Sequence, residues 1–86
     1  MTPDDALSLI RRYKREGFET FLDIPYLHAA LAYNAIGDAH KAQKYAGLAA
    51  NLLVLKGLDG DPSFETCQQL LQYPRQHWSW RRRIDD

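Results

Sequence analysis

One cysteine, Cys67, is the only thiol in the 86 residues. It has no partner for an internal disulfide and cannot assemble a cysteine zinc site, so the expected setting is reducing and intracellular, cytoplasmic or nuclear. No apolar run approaches the roughly 20 residues of a membrane span, and the N-terminal TPDDALSLI carries acids where a secretory leader needs positive charge. The reading is a soluble chain with no membrane partner. Net charge is missing too: 11 Lys and Arg offset 11 Asp and Glu, so the basic field that drives non-specific nucleic-acid binding is absent. Nucleic acid is not an expected partner, although Arg75 and Arg81 to Arg83 leave a local basic patch.

Constellations that do bond-making chemistry are also missing. His28, His40 and His77 are scattered, with no His-x-x-x-His, Cys-x-x-Cys or Glu-x-x-His spacing, so neither a metal nor another cofactor is expected. Asp59, Asp61 and Glu65 around Gly60 superficially imitate a calcium loop, but Pro62 and Phe64 interrupt the alternating oxygen ligands; a turn and a helix cap explain the same residues. Cys67 falls on an apolar stripe with Phe64, Leu70 and Leu71, the place of a structural rather than a nucleophilic cysteine. The glycines at 37, 47, 57 and 60 lack the spacing of a phosphate-binding loop.

What is present is helical periodicity, and it centres on residues 24–56. Tyr26, Ala29, Ala30, Tyr33 and Ile36 recur at three and four residues and share one helix face. Gly37-Asp38 then breaks the pattern, the glycine supplying a left-handed residue and the aspartate a capping oxygen. In the second half Ala42, Ala46, Ala49 and Ala50 form a small-residue side, next to a bulkier stripe of Tyr45, Leu48, Leu52 and Leu55. Small side chains let two helix backbones approach closely, and the rings of Tyr26 and Tyr33 fill the volume above them.

The flanks read as further helices. Thr2-Pro3-Asp4-Asp5 opens the first with a capping hydroxyl, a proline at an unpaired N–H and carboxylates at the positive dipole end. Ala6, Leu9, Ile10 and Tyr13 make its inner stripe, and Gly17 closes it. Phe18, Phe21 and Leu22 are expected to fold beneath the first two helices as an apolar plug. Asp23 is expected to cap the hairpin's first helix, with Pro25 in its first turn. The second should reach Lys56 before Gly57. Asp61 and Pro62 start a fourth helix carrying Phe64, Cys67, Leu70 and Leu71, and Pro74 ends it. Trp78 and Trp80 are large enough that at least one is expected to cover the open end of the stack.

Two resemblances follow from these residues. With Gly37-Asp38 set on the helix-helix turn of a tetratricopeptide repeat, Tyr26, Ala30, Tyr33, Ala42 and Ala49 fall on that repeat's bulky, small, tyrosine and two alanine positions. Val54-Leu55 replaces the repeat's terminating proline, so a longer helix is expected there. The longer run ALAYNAIGDAHKAQKYAGLAANLLVLKG, with HWSW some twenty residues on, resembles the C-terminal helical region of fungal SET-domain proteins, relatives of the SET and MYND lysine methyltransferases. This second resemblance spans about Ala6 to Arg82. It implies a cap that packs beside a substrate cleft and binds partners; the Asn-His-Ser motif, catalytic tyrosine and zinc cysteines of the SET domain lie nowhere in the chain.

The expected fold is all-α, a tetratricopeptide-like antiparallel helical hairpin with flanking helices, about four in all. It makes a single domain over residues 1–86 with a Trp/Arg-rich tail at 76–86. The expected function is a non-catalytic helical protein-protein interaction or accessory module, leaning away from an enzyme, whose partner is a protein or peptide or a second copy of the chain. Tyr26, His28, Tyr33 and Asn34 are the candidate contact residues on the hairpin's first helix, with Trp78, Trp80, Arg81 and Arg82 in the tail. The alternative is a small helical enzyme or ligand-binding protein in which Tyr33, His28 and Asn34 line a pocket between the first three helices.

Overall fold

A computed structural model describes residues 1–72. Four helices follow in order: α1 (Pro3–Arg15), α2 (Asp23–Ala35), α3 (Ala39–Leu55) and α4 (Pro62–Gln72), with a 3-10 turn at Glu19–Phe21 between the first two. The described residues are all-α. None of their helices is long and apolar enough to cross a membrane. Pairing of α2 with α3 is the most extensive, with α4 against α3 and α1 against α2 on either side.

The helix boundaries come from local chemistry. Thr2 Oγ1 accepts the Asp5 N–H while the Asp5 carboxylate accepts the Thr2 N–H, a reciprocal cap at the start of α1. Asp38 accepts the Lys41 N–H at the start of α3, and Asp61 the Ser63 N–H at the start of α4. At Gly37, with φ at 84°, the Gly37 N–H donates to Asn34 and the Asp38 N–H to Tyr33, the double closure that a left-handed residue permits. The same pair of bonds recurs after α3, where Leu58 N–H reaches the Leu53 carbonyl at 2.7 Å. As expected from the missing proline, α3 runs through Val54-Leu55.

Alanines set the spacing of the hairpin. Ala42, Ala46, Ala49 and Ala50 on α3 are buried, as are Ala29, Ala30 and Tyr33 on α2. Two apolar clusters result. Ala30, Ala46, Ala49, Ala50 and Leu53 close on Cys67 and Leu70 of α4, while Ala29, Tyr33 and Ala42 close on Ala6 and Ile10 of α1 and on Leu22. No polar or charged residue is buried among the described residues. The two clusters are therefore apolar, and their side chains meet by close packing.

Three expectations are corrected. Asp23 does not cap α2: Leu22 is already in the helical region, so the 3-10 turn runs straight into the helix and leaves no extended residue to cap it. Asp23 instead accepts from Lys56 Nζ at 2.7 Å. Phe18 and Phe21 are not a plug, being 47% and 51% exposed. Leu22 alone goes inside, and Phe18 packs edge-on against Tyr13 at 6.1 Å as the apolar contact that accompanies the closure of α1. Finally Ile36, Leu48, Leu55 and Leu71, counted with the packing stripes, are exposed.

Candidate interaction surface

The predicted contact residues of α2 divide between its two sides. Tyr33 is buried with its ring stacked on Tyr45 of α3, 5.7 Å between centroids and 7° between planes. Tyr26, half-buried, meets the same Tyr45 ring at 6.1 Å, and Lys41 lies 5.3 Å over Tyr33. Both tyrosines are thus part of the hairpin's internal contact. His28 points the other way: two residues on from Tyr26, it stands about 200° round the helix and is exposed. Asn34 is half-buried. Tyr33, His28 and Asn34 therefore do not converge, and no groove described below is lined by any of them. Trp78, Trp80, Arg81 and Arg82 lie outside the described residues, as do His77 and Pro74.

Along the outer side of α2, Ile24, His28 and Leu31 follow at i, i+4 and i+7, with Ile24 and Leu31 45% and 43% exposed. Ile24 also lines a groove of about 310 Å³ with Tyr13, Phe18 and Phe21. The apolar strip thus continues from α2 onto the α1–α2 connection. Its residues were legible one by one in the sequence, but only the position of α1 and α4 on either side of α2 shows that the other described residues leave this face exposed.

A second, larger groove of about 450 Å³ lies where the 3-10 turn meets the hairpin, lined by Glu19, Thr20, Leu22, Tyr26, Leu48, Asn51, Leu52 and Leu55. The sequence places Leu48, Leu52 and Leu55 on one stripe; it does not show that, among the described residues, Leu48 and Leu55 stay exposed while Leu52 packs half-buried against the cluster of α1 and α2. The adjoining turn is fastened by Lys56, whose ammonium donates to the Thr20 carbonyl at 3.0 Å and to Asp23, and lies 5.3 Å from the Phe21 ring. That clasp, joining the start of α2 to the end of α3, was not foreseen.

Cys67 is buried, and burial first, then the negative charge of Asp23, push its thiol above the ordinary value of 9.0. The thiol is held neutral, the less nucleophilic form. No three His, Cys, Asp or Glu side chains among the described residues come together as a metal site. No family model matches the sequence, and neither a curated protein nor a solved structure shows significant similarity to it.

Proposed function

We propose that the chain is a non-catalytic helical interaction or accessory module. The kind it resembles, through the Tyr-Asn-x-x-Gly-Asp turn and the HWSW segment, is the C-terminal tetratricopeptide-like cap of fungal SET-domain proteins. The observation that carries the reading is the apolar strip of Ile24 and Leu31, exposed beside His28 on the helix that packs most extensively in the fold, and continued by the exposed Phe18 and Phe21 on the α1–α2 connection. Side chains of this type, adjacent on a rigid element, gain free energy by being covered, about 25 cal/mol per Å² of apolar surface. His28 within the strip adds a hydrogen-bonding group that orients what covers it. The partner is a protein or peptide.

A photo-crosslinking residue placed at 28 in the full chain, followed by mass spectrometry of native extract, tests this. A discrete adduct is expected, lost when Ile24→Asp and Leu31→Asp are introduced and kept with Val54→Asp, a change at another exposed apolar position. An adduct of twice the chain mass would make the partner a second copy. Absence of any adduct, or one indifferent to Ile24 and Leu31, defeats the proposal. So does catalytic turnover abolished by one side-chain change.

A further inference from the structure

We infer that the larger groove, between the 3-10 turn and the α2–α3 hairpin, seats an amphipathic helix of a partner that sets a basic side chain beside Glu19. The inference rests on reading the chain as an interaction module, but on different residues from the α2 strip, so either can fail alone.

The wall of the groove decides the shape of its occupant. Leu48, Leu52 and Leu55 stand at i, i+4 and i+7 on α3 and give a straight apolar ridge about 10 Å long, two helical turns. The buried Leu22 and the half-buried Tyr26 complete the apolar lining, and Leu55 is 81% exposed. Binding a peptide as an added strand needs a free sheet edge, polyproline recognition needs aromatic walls, acidic-motif recognition needs an arginine cluster, terminus capture needs a nest of backbone amides, and a bound helix needs an apolar groove. The described residues contain no sheet, and among them Tyr26 is the one aromatic that lines this groove, beside four leucines. The apolar ridge fits the helix mode, whose anchors follow the i, i+3, i+4, i+7 spacing to which Leu48, Leu52 and Leu55 themselves belong. A volume of about 450 Å³ is within the range that accepts several apolar side chains.

The rim decides the charge. Among the described residues Glu19 is the only ionisable acid or base of the lining besides the Tyr26 phenol, and no ion pair among them engages it. Asp23, the next carboxylate along the chain, is already taken by Lys56. An uncompensated carboxylate at the edge of an apolar groove favours a cation and disfavours an acid at that end of the ligand. Asn51 supplies a side-chain amide to a polar group on the ligand's outer edge.

The test uses the full chain and two synthetic helical probes of 16 residues, each with leucines at i, i+3, i+4 and i+7, one ending in arginine and the other in glutamate. Amide and methyl shifts are followed by NMR during titration. Shifts centred on Leu48, Leu52 and Leu55 are expected, with the arginine probe bound roughly two- to fivefold more tightly, the range of a surface ion pair. Glu19→Lys should reverse that preference, and Leu55→Asp should weaken both probes at least about tenfold while leaving the spectrum of the fold intact. Shifts confined to Ile24, His28 and Leu31 overturn the groove assignment and leave the module reading standing. Indifference to probe charge overturns it too. Contacts from Trp78 or Trp80 to Leu52 and Leu55 within one chain, or concentration-dependent shifts there without probe, would likewise overturn it by assigning the groove to the chain itself or to a second copy.

Discussion

Tyr45 lies parallel to Tyr33, its ring 5.7 Å away at 7°, and meets Tyr26 at 6.1 Å from the next two turns of the same helix. The arrangement follows from the sequence spacing. Tyr26 and Tyr33 are seven residues apart and recur on one face of α2, while the alanines of α3 bring the two backbones close enough for one ring to reach both.

The pair should be measurable as a coupling. In a double-mutant cycle of Tyr33→Leu and Tyr45→Leu followed by urea unfolding, the interaction energy is expected at about 0.5–1.5 kcal/mol, the amount an aromatic pair contributes beyond its buried area. Additive losses would mean that the rings act as apolar volume only.

Lys56 should matter more than a surface cation. Its side chain is 25% exposed and that of Asp23 12%, so the pair lies between the solvent-exposed case, worth about 0–1 kcal/mol, and the buried case, where losing one partner costs about 3–5 kcal/mol. Lys56→Met is expected to cost about 1–3 kcal/mol, with faster hydrogen exchange in residues 19–23, whose Thr20 carbonyl and Asp23 carboxylate it holds. Arg12→Met, which removes the exposed pair with Glu16, should cost under about 1 kcal/mol.

Cys67 gives a pH signature of defined sign. Its folded pKa is raised above 9.0 by burial and by Asp23, so the unfolded chain loses its thiol proton first as pH rises. The contribution is fully present below pH 9.0 and is lost as pH climbs from there through the folded value. Denaturation midpoints for the natural chain should therefore fall more steeply above pH 9 than those of Cys67→Ala. At neutral pH, labelling of Cys67 by a thiol reagent should proceed at the rate of opening, slowing as stability rises.

Glycines 37 and 60 should respond differently to alanine. A side chain at Gly37, where φ is 84°, is expected to cost about 1–2 kcal/mol. At Gly60, which has open space around it and no positive φ, Gly60→Ala should leave the thermal midpoint nearly unchanged or raise it slightly.

Much of the fold was legible because its signals are local. The Thr2-Asp5 cap, the Gly37-Asp38 turn, the Asp61 cap and the alanine stripe each need only a few neighbouring residues, and each is found where the spacing puts it. Asp23 was misread because an aspartate before an apolar run looks the same whether the chain enters the helix from an extended residue or from a 3-10 turn. Its partner Lys56 is 33 residues away, a separation that no local pattern encodes. Tyr33 and His28 show the same limit on α2. Helical spacing puts them on different sides, but which side is covered depends on where α1, α3 and α4 dock.

The alanine seam between α2 and α3 has a mechanical consequence. Long side chains between helices adjust by changing rotamer, and so absorb a push on one helix before its neighbour feels it. Methyl groups have no such slack. Where α2 and α3 meet through Ala30, Ala46 and Ala49 and not through the tyrosine rings, pressure on the outer side of α2 should therefore reach α3 with little loss.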